Sequence, residues 1–204
     1  NQKGAHMSRF VESINGIPNE ISSIESLAEL IANDALKRHG FDCETEVTSD
    51  LPFEKTRPSG KKENGIAKMF SRYSTRTGRK FVGVSLAGIL ACPCSKELTN
   101  GLTHNQRGEL SVEIEVTKND VELYDIIEFI NQCFSSPTFS LLKRPEEKEI
   151  VENIHRNPKF VEDVTRKCVT LLRERYSNKY CKVKCISFES IHDHNVSAEW
   201  SGVL

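Results

Sequence analysis

The chain has 204 residues, of which 37% are hydrophobic and 28% are charged, and its formal net charge is −1. This length can bury one large core or two domains of about 100 residues each, and the charge balance argues against nucleic acid as the main partner. The longest apolar run, around residues 81–90, is interrupted by glycine and too short to span a bilayer, so no membrane partner is expected.

The first predicted element is a helix over residues 22–39. Its apolar side chains recur at helical spacing along one face. Ser22 and Glu25 are predicted to form a capping box at its start. Gly40 is predicted to end it, because glycine readily adopts the left-handed conformation that follows many helices.

A loop and a hairpin are predicted next. The polar segment 57–65, with the sequence RPSGKKENG, is typical of a mobile loop. Residues 70–84 are predicted to form a hairpin with Thr77 and Gly78 at its turn.

The second half of the chain is predicted to repeat this plan. Residues 109–116 alternate apolar and polar side chains, which indicates a half-buried strand. Asn119 is predicted to cap one helix, and Asn157 with Pro158 to open a longer one. The last 25 residues indicate two further strands. Two tandem copies of a small α+β unit are therefore expected.

A candidate site lies around Cys92, Cys94 and His104. Seven cysteines without a visible signal peptide predict reduced thiols in a cytoplasmic protein. A thiolate and an imidazole twelve residues apart could hold a catalytic divalent metal. The alternative is a pair of partly buried thiols and a surface histidine. The stiff Cys-Pro-Cys link disfavours a Cys92–Cys94 disulfide.

Acidic and histidine side chains form further candidates. Residues 189–194, ESIHDH, hold two acids and two histidines, although a polar turn would explain them equally well. On an ideal strand Glu189 and His192 would point to opposite faces. Glu146 and Glu147 follow Pro145 in the first turn of a predicted helix, where the helix dipole favours acids. Glu162 is also near a helix start and points away from its apolar face.

Five motifs together resemble the GTP cyclohydrolase IB family, the prokaryotic-type enzyme of pterin and folate synthesis. They are KGAHMSRFVE (3–12), CPCSKEL with HNQRG (92–108), LLKRPEEK (141–148), NPKFVEDV (157–164) and FESIHDHNVSAE (188–199). They occur in family order over nearly the whole chain. The resemblance implies that a segment of the family precedes Asn1.

The resemblance implies the tunnelling fold, an α+β architecture. Each unit has two antiparallel strands, two helices and two more strands, and each chain carries two units. The units are expected at 1–103 and 104–204. Such chains assemble into barrel-type homo-oligomers, here expected to be tetramers, with active sites between subunits.

The resemblance also implies a divalent metal, which could be zinc, manganese or iron(II). Its expected ligands are Cys92, His104 and Glu147, with Glu146 as the neighbouring alternative. His192 is expected to be a further ligand or to lie beside the metal. A mixed set of sulfur, nitrogen and oxygen donors does not by itself select one of these metals.

Substrate roles follow from the same resemblance. Cys94 and His192 are expected to transfer protons, and Cys92 to act in catalysis as a ligand. Glu162 is expected to bind guanine, with Glu189 close to the same site. Candidate cations for the triphosphate are Arg9, Lys96, Arg107, Lys143 and Arg144.

The implied activity is that of a hydrolase acting on a cyclic amidine. It would open GTP at C8 and form formate and 7,8-dihydroneopterin triphosphate. Archaeal methanopterin-type members form a cyclic phosphate instead, and the short spacing between Cys92 and His104 is more similar to bacterial members.

Three other functions remain open at this stage. A nitrile reductase on the same fold would use a nucleophilic cysteine and NADPH without metal. A purine-binding or structural oligomer module would have no activity to lose when Cys92 is replaced. A thiol-redox protein would form the Cys92–Cys94 disulfide.

Overall fold

A seven-stranded antiparallel sheet forms the centre of the fold. The computed structural model describes residues 4, 6–118 and 120–204. The six long strands lie in the order β1-β2-β3-β4-β6-β7, and the short β5 pairs with β3. In chain order the elements are α1 (Met7–Asn15), α2 (Ile24–His39), β1 (Glu44–Thr56), β2 (Lys62–Ser74), β3 (Lys80–Ala91), α3 (Pro93–Leu98), β4 (Asn105–Val116), α4 (Leu123–Cys133), β5 (Ser136–Pro137), α5 (Arg144–Arg156), α6 (Val161–Arg175), β6 (Tyr180–Ser187) and β7 (Val196–Val203). The predicted α+β class is confirmed.

The main core lies between this sheet and helices α4 and α6. Strand β4 follows the predicted alternation, because Leu110, Val112, Ile114 and Val116 are all buried. Each such side chain stabilises the fold by about 1.5–3 kcal/mol when it is fully buried. The helical side chains that complete this core include Ile126, Ile127, Ile130, Val164, Cys168 and Leu172.

Helix α2 packs on β1 and β2, begins at Ile24 and not at residue 22, and has its N-cap one residue later than predicted. The Ser23 hydroxyl, not that of Ser22, accepts the backbone N–H of Ser26. The predicted capping box of Ser22 and Glu25 is therefore wrong. Gly40 ends the helix with a φ of 74°, as predicted.

Strands β1 and β2 form a long hairpin, and the loop between them is shorter than predicted. Only 57–61 lies outside the strands, and Lys62–Gly65 pairs with β1. The prediction of a loop over all of 57–65 is therefore wrong at its C-terminal end. The hairpin of β2 and β3 is confirmed, and Gly78 takes a φ of 66° at its turn.

Two helix starts differ from the sequence patterns. The predicted cap Asn119 lies outside the described residues, and Glu122 is the N-cap of α4. Helix α6 begins at Val161, three residues after Pro158. The intervening Lys159 is held in an extended bridge with Ala91 of β3, so it cannot join the helix. Helix α5 begins with Pro145 in its first turn, as predicted.

The division of the chain into units at 103/104 stays a prediction. That boundary falls between β3 and β4, which pair with each other along their whole lengths. Within the described ranges, no helix is long and apolar enough to cross a membrane.

Candidate functional site

The paired ends of β3 and β4 bring Cys92 and His104 together. Ala91, the last residue of β3, pairs with Asn105, the first of β4. Just beyond this pair the backbone N–H of Cys92 donates to the carbonyl of His104 at 3.2 Å, and the Thr103 hydroxyl donates to the carbonyl of Cys92 at 2.6 Å. The antiparallel register thus closes the segment 92–104 and places the thiol and the imidazole in one pocket.

The start of α6 is attached to the same end of β3. The backbone N–H of Lys159 donates to the carbonyl of Ala91 at 3.0 Å. The Lys159 ammonium donates to the carbonyls of Cys133 and Phe134 at 2.8 and 3.0 Å, and burial lowers its pKa. These bonds connect the end of α4 to the entry of α6. They place Glu162, in the first turn of α6, in the pocket of Cys92.

The loop between β6 and β7 supplies the third side of the site. It carries Glu189, His192 and His194, and all three side chains line the pocket. The rings of His192 and His194 stack with centroids 5.3 Å apart, and His104 meets His192 edge-on at 6.5 Å. Residues 188–195 do not form a strand, so Glu189 and His192 can line one site although an ideal strand would point them to opposite faces.

Together these segments enclose a pocket of about 270 Å³, at the small end of typical ligand sites. Five of the predicted site residues line it, together with His194 of the ESIHDH motif and three polar residues that the sequence had not singled out. The predicted ones are Cys92, His104, Glu162, Glu189 and His192, and the three polar ones are Gln106, Lys159 and Ser187.

A polar network orients His104. Its Nδ1 lies 3.0 Å from Gln106 Oε1, an oxygen that can only accept, so Nδ1 carries the proton. The Gln106 amide donates to Ser187 Oγ at 3.2 Å and to Glu189 Oε1 at 3.3 Å, and Ser187 donates to the same carboxylate at 2.7 Å. His104 Nε2 is thereby left with a free lone pair. Such an arrangement is typical of a metal-binding or basic histidine.

Cys92 is half-buried at the N-cap of α3. Its sulfur accepts the backbone N–H of Ser95 at 3.4 Å. Four other cysteines, at 133, 168, 181 and 185, are buried in the core, and burial raises the pKa of Cys181 and Cys185 to about 12. Those two thiols are inert by comparison. Cys92 and Cys94 are both free thiols.

The donor atoms of the pocket are of types that bind divalent metals. The pocket offers a thiol from Cys92 and imidazoles from His104 and His192, which are the donor types that zinc and iron(II) accept. In the described part of the chain, no three His, Cys, Asp or Glu side chains already converge at metal-binding distance. The donor types of the pocket therefore suit such an ion, although the side chains are not already arranged as a set of three ligands in the described residues.

The predicted acidic ligand is not part of this pocket. Glu147 is exposed on α5. Glu146 is buried, accepts the Ser59 hydroxyl and the backbone N–H of Lys143, and pairs with Arg57. The bond from Ser59, and then that from Lys143, lowers the pKa of Glu146. Glu146 thus has structural partners, and Glu147 as a ligand stays a prediction.

Other predicted residues lie outside the pocket in this chain. Cys94 is exposed on α3, two residues from Cys92, and Lys96 follows it on the same helix. Arg107 is exposed on β4 and lines a neighbouring cavity. Arg9 lies on α1, where its guanidinium donates to the carbonyl of Arg38 at 2.9 Å.

Sequence patterns could have indicated some of the missed residues. Gln106 and His104 are two residues apart on one strand and so share a face. Lys159 and Ser187 gave no such signal, because the first acts through a bridge to Ala91 and the second through a bond to Glu189.

The site thus defines a class of protein. A thiol, imidazoles and carboxylates converge in one pocket of an antiparallel α+β fold, which suits acid–base and metal-assisted chemistry. The sequence model of the family described as "Type I GTP cyclohydrolase folE2" matches residues 1–198. The chain belongs to this family, which confirms the resemblance to GTP cyclohydrolases.

Curated relatives agree with this assignment. The GTP cyclohydrolase MptA of Pyrococcus furiosus is 38% identical over 97% of this chain and 79% of its own length. The GTP cyclohydrolase FolE2 of Citrifermentans bemidjiense is 34% identical, over 96% and 73% of the two chains. FolE2 of Dictyoglomus turgidum is also 34% identical, over 96% and 76%.

Proposed function

We propose that the chain is a metal-dependent GTP cyclohydrolase of pterin and folate biosynthesis. With one net water, GTP would yield formate, 7,8-dihydroneopterin triphosphate and a proton. The observation that carries this proposal is the convergence of Cys92, His104 and Glu162 in one pocket, although they come from separate segments of the chain. Family membership supports the same reaction.

Glu162 is proposed to select guanine. Its carboxylate lines the pocket and accepts no hydrogen bond from a described side chain, so both oxygens are available. The N1–H and amino group of guanine would donate to it. Adenine has no N–H at N1 and would leave the carboxylate poorly paired, which is the kind of mismatch that gives strong discrimination.

The metal is proposed to be held by Cys92, His104 and His192, with Glu147 as the candidate oxygen ligand. Zinc, manganese and iron(II) all accept such donors. The chemistry that such an ion supplies is the acidification of water, to a pKa of about 7. Gln106 would keep the lone pair of His104 Nε2 directed to it.

Proton transfer is proposed for Cys94 and for the histidines of the β6–β7 loop. Opening of the imidazole ring requires a proton at a ring nitrogen as the C8–N bond breaks. His192 lines the pocket, and Cys94 lies two residues from Cys92. Imidazole and thiol suit this task because their ordinary pKa values lie near neutrality.

An anaerobic assay tests this proposal. The protein is stripped of metal, supplied with Mn²⁺, Fe²⁺ or Zn²⁺ and GTP, and assayed for formate and for pterin fluorescence after oxidation. Cys92→Ala should abolish both signals. Cys43→Ala is the matched control, because Cys43 is also half-buried but donates only to the carbonyl of Phe41. Absence of formate with every metal from folded protein would overturn the proposal.

The same assay can also identify the pterin product. The relatives include proteins named MptA as well as proteins named FolE2, and the first of them is an MptA. We propose the triphosphate product, and the cyclic phosphate is the alternative. Mass spectrometry of the product distinguishes the two, because the cyclic phosphate has lost two phosphates.

The assembly is proposed to be a tunnelling-fold tetramer. From β3 to β7 the longer elements are two strands, three helices (α4, α5 and α6) and two strands, which is one helix more than the plan of the fold, and β3 lies before the expected boundary at 103/104. Arg9, Lys96 and Arg107 lie outside the pocket of their own chain, so they could serve the site of a neighbouring subunit. Light scattering should give four times the mass of one chain, and a monomeric active enzyme would refute this arrangement.

A further inference from the structure

A second cavity lies beside β5 and is separate from the pocket of Cys92. It measures about 400 Å³ and shares no lining residue with the first pocket. The loop after β1, the segment around β5 and the end of α5 form its walls. Polar side chains of the cavity include those of Arg57, Ser135, Asn153 and Arg156.

Arg57 is the central group of this cavity. Its side chain is only 8% exposed. One terminal nitrogen, Nη1, donates to the carbonyl of Leu141 at 3.2 Å. Nε lies 3.6 Å from Glu146 Oε1 without forming a hydrogen bond, and Nη2 donates to no group in the described part of the chain. The guanidinium therefore retains donors that the protein does not use.

The neighbouring polar groups are also unpaired. Ser135 is 5% exposed, and its hydroxyl has no partner among the described residues. The Asn153 side chain is half-buried in the wall and forms no hydrogen bond with a described group. A buried donor that is left unpaired is unfavourable. A ligand that accepts these hydrogen bonds would remove that unfavourable contribution.

Two arginines supply the positive charge of the cavity. Arg57 and Arg156 both line it, and each also lies near one carboxylate, Arg57 3.6 Å from Glu146 and Arg156 3.5 Å from Glu152. The nearest buried acid, Glu146, is already occupied by Ser59 and by the backbone N–H of Lys143, one on each oxygen. Arginine, serine and asparagine donors around one cavity match the several acceptor oxygens of a phosphate group.

From these contacts we infer a second binding site, which takes the phosphate group of a small molecule. The phosphate would accept from Arg57 and Ser135 inside the cavity and from Arg156 at its rim. Two sources share this chemistry: the triphosphate of a GTP bound to the enzyme assembly, or a separate phosphorylated metabolite. The assignment goes beyond the proposed activity, because it concerns a cavity without metal-ligating or proton-transferring side chains.

Calorimetry on the full chain tests the site without turnover. Inorganic phosphate and inorganic triphosphate are titrated into the wild type and three variants. Ser135→Ala removes the interior donor. Arg156→Gln changes a side chain that is 67% exposed and so should not disturb folding. Arg166→Gln is the control, because it also removes an exposed arginine paired with an acid on its own helix.

We expect Arg156→Gln and Ser135→Ala each to weaken triphosphate binding by about tenfold. Arg156→Gln removes a charge-assisted hydrogen bond, and Ser135→Ala removes a hydroxyl donor. Arg166→Gln should bind as the wild type does. Equal affinity in the wild type and Arg156→Gln, or no binding by the wild type, would overturn the inference. Because this measurement needs no formate release, it is independent of the proposed activity.

Competition identifies the source of the phosphate. If the cavity binds the triphosphate of GTP, inorganic triphosphate should compete with GTP, and Arg156→Gln should raise KM for GTP with little change in kcat. If it binds a separate metabolite, GTP should not displace inorganic triphosphate, and KM for GTP should stay unchanged in the variant.

Discussion

Gln106→Leu should reduce the proposed activity by releasing His104, because Gln106 lines the pocket but is not itself a proposed ligand of guanine or of the metal. Gln106 fixes the proton on His104 Nδ1 at 3.0 Å and is itself fixed by Ser187 and Glu189. Leucine has a similar size but cannot accept or donate. His104 Nδ1 would then keep only the Ser190 hydroxyl, at 3.3 Å, as a partner, so its orientation and tautomer would be less well fixed, and Glu189 would lose one donor.

The size of this effect follows from the contacts. Loss of a partner that orients a ligand typically costs about 10- to 100-fold in metal affinity or activity, which corresponds to about 1.4–2.7 kcal/mol of transition-state stabilisation. The loss should appear in kcat and in the metal dissociation constant. KM for GTP should change little, because Gln106 makes no contact with Glu162 in the network.

The assay combines formate release with a metal titration of the stripped protein. Gln132→Leu is the matched control, because Gln132 is an exposed glutamine on α4 away from the pocket. A folded Gln106→Leu protein that keeps kcat and metal affinity within about threefold of the wild type would refute the role of Gln106 in orienting His104.

Three further predictions concern the scaffold. Lys159→Met removes an ammonium that donates to two carbonyls at the end of α4, so urea unfolding should show a loss of about 2–3 kcal/mol, while Lys159→Arg should recover part of it. Gly88→Ala would place a methyl group 2.1 Å from the ring of Phe134, so it should destabilise the protein by about 1–3 kcal/mol or more; a loss below about 0.5 kcal/mol would contradict this packing. Burial lowers the pKa of His39 from 6.5, so the unfolded state binds more protons and stability should fall as pH drops below 6.5. His39→Leu should flatten that dependence in urea titrations at pH 7.5 and 5.5, and an unchanged slope would show that His39 does not cause it.

The sequence-based errors cluster at the ends of elements. Ser22 and Ser23 both fit a helix cap, and only the bond from Ser26 to Ser23 decides between them. Asn157 and Pro158 are a good local start signal, but Lys159 is held by Ala91 on a distant strand. Long-range backbone pairing therefore overrode the local pattern.

Candidate site residues were predictable where they belong to dense motifs. The thiol and imidazole of Cys92 and His104, and the acid and imidazole of Glu189 and His192, stand out by residue type alone. Their roles came from the family resemblance, because spacing along a chain does not specify which side chains meet. Lys159 was missed because its function is to connect α4, β3 and α6.

The amino-acid sequence by itself determined the local elements and the family. Four features each depend on only a few neighbouring residues, so they can be predicted without knowing the rest of the fold. They are the alternation along β4, the end of α2 at Gly40, the turn at Gly78 and the start of α5 at Pro145. Five ordered motifs were enough to indicate a GTP cyclohydrolase.

Only the tertiary structure decided which groups share a site. The bridge between Ala91 and Lys159 brings Glu162 to the pocket of Cys92. Residues 57–61, a polar loop in the sequence, direct Arg57 into a cavity completed by Ser135 and α5. The physical reason is the same in both cases: hydrogen bonds and burial between distant segments bring these side chains together, and no local pattern encodes those contacts.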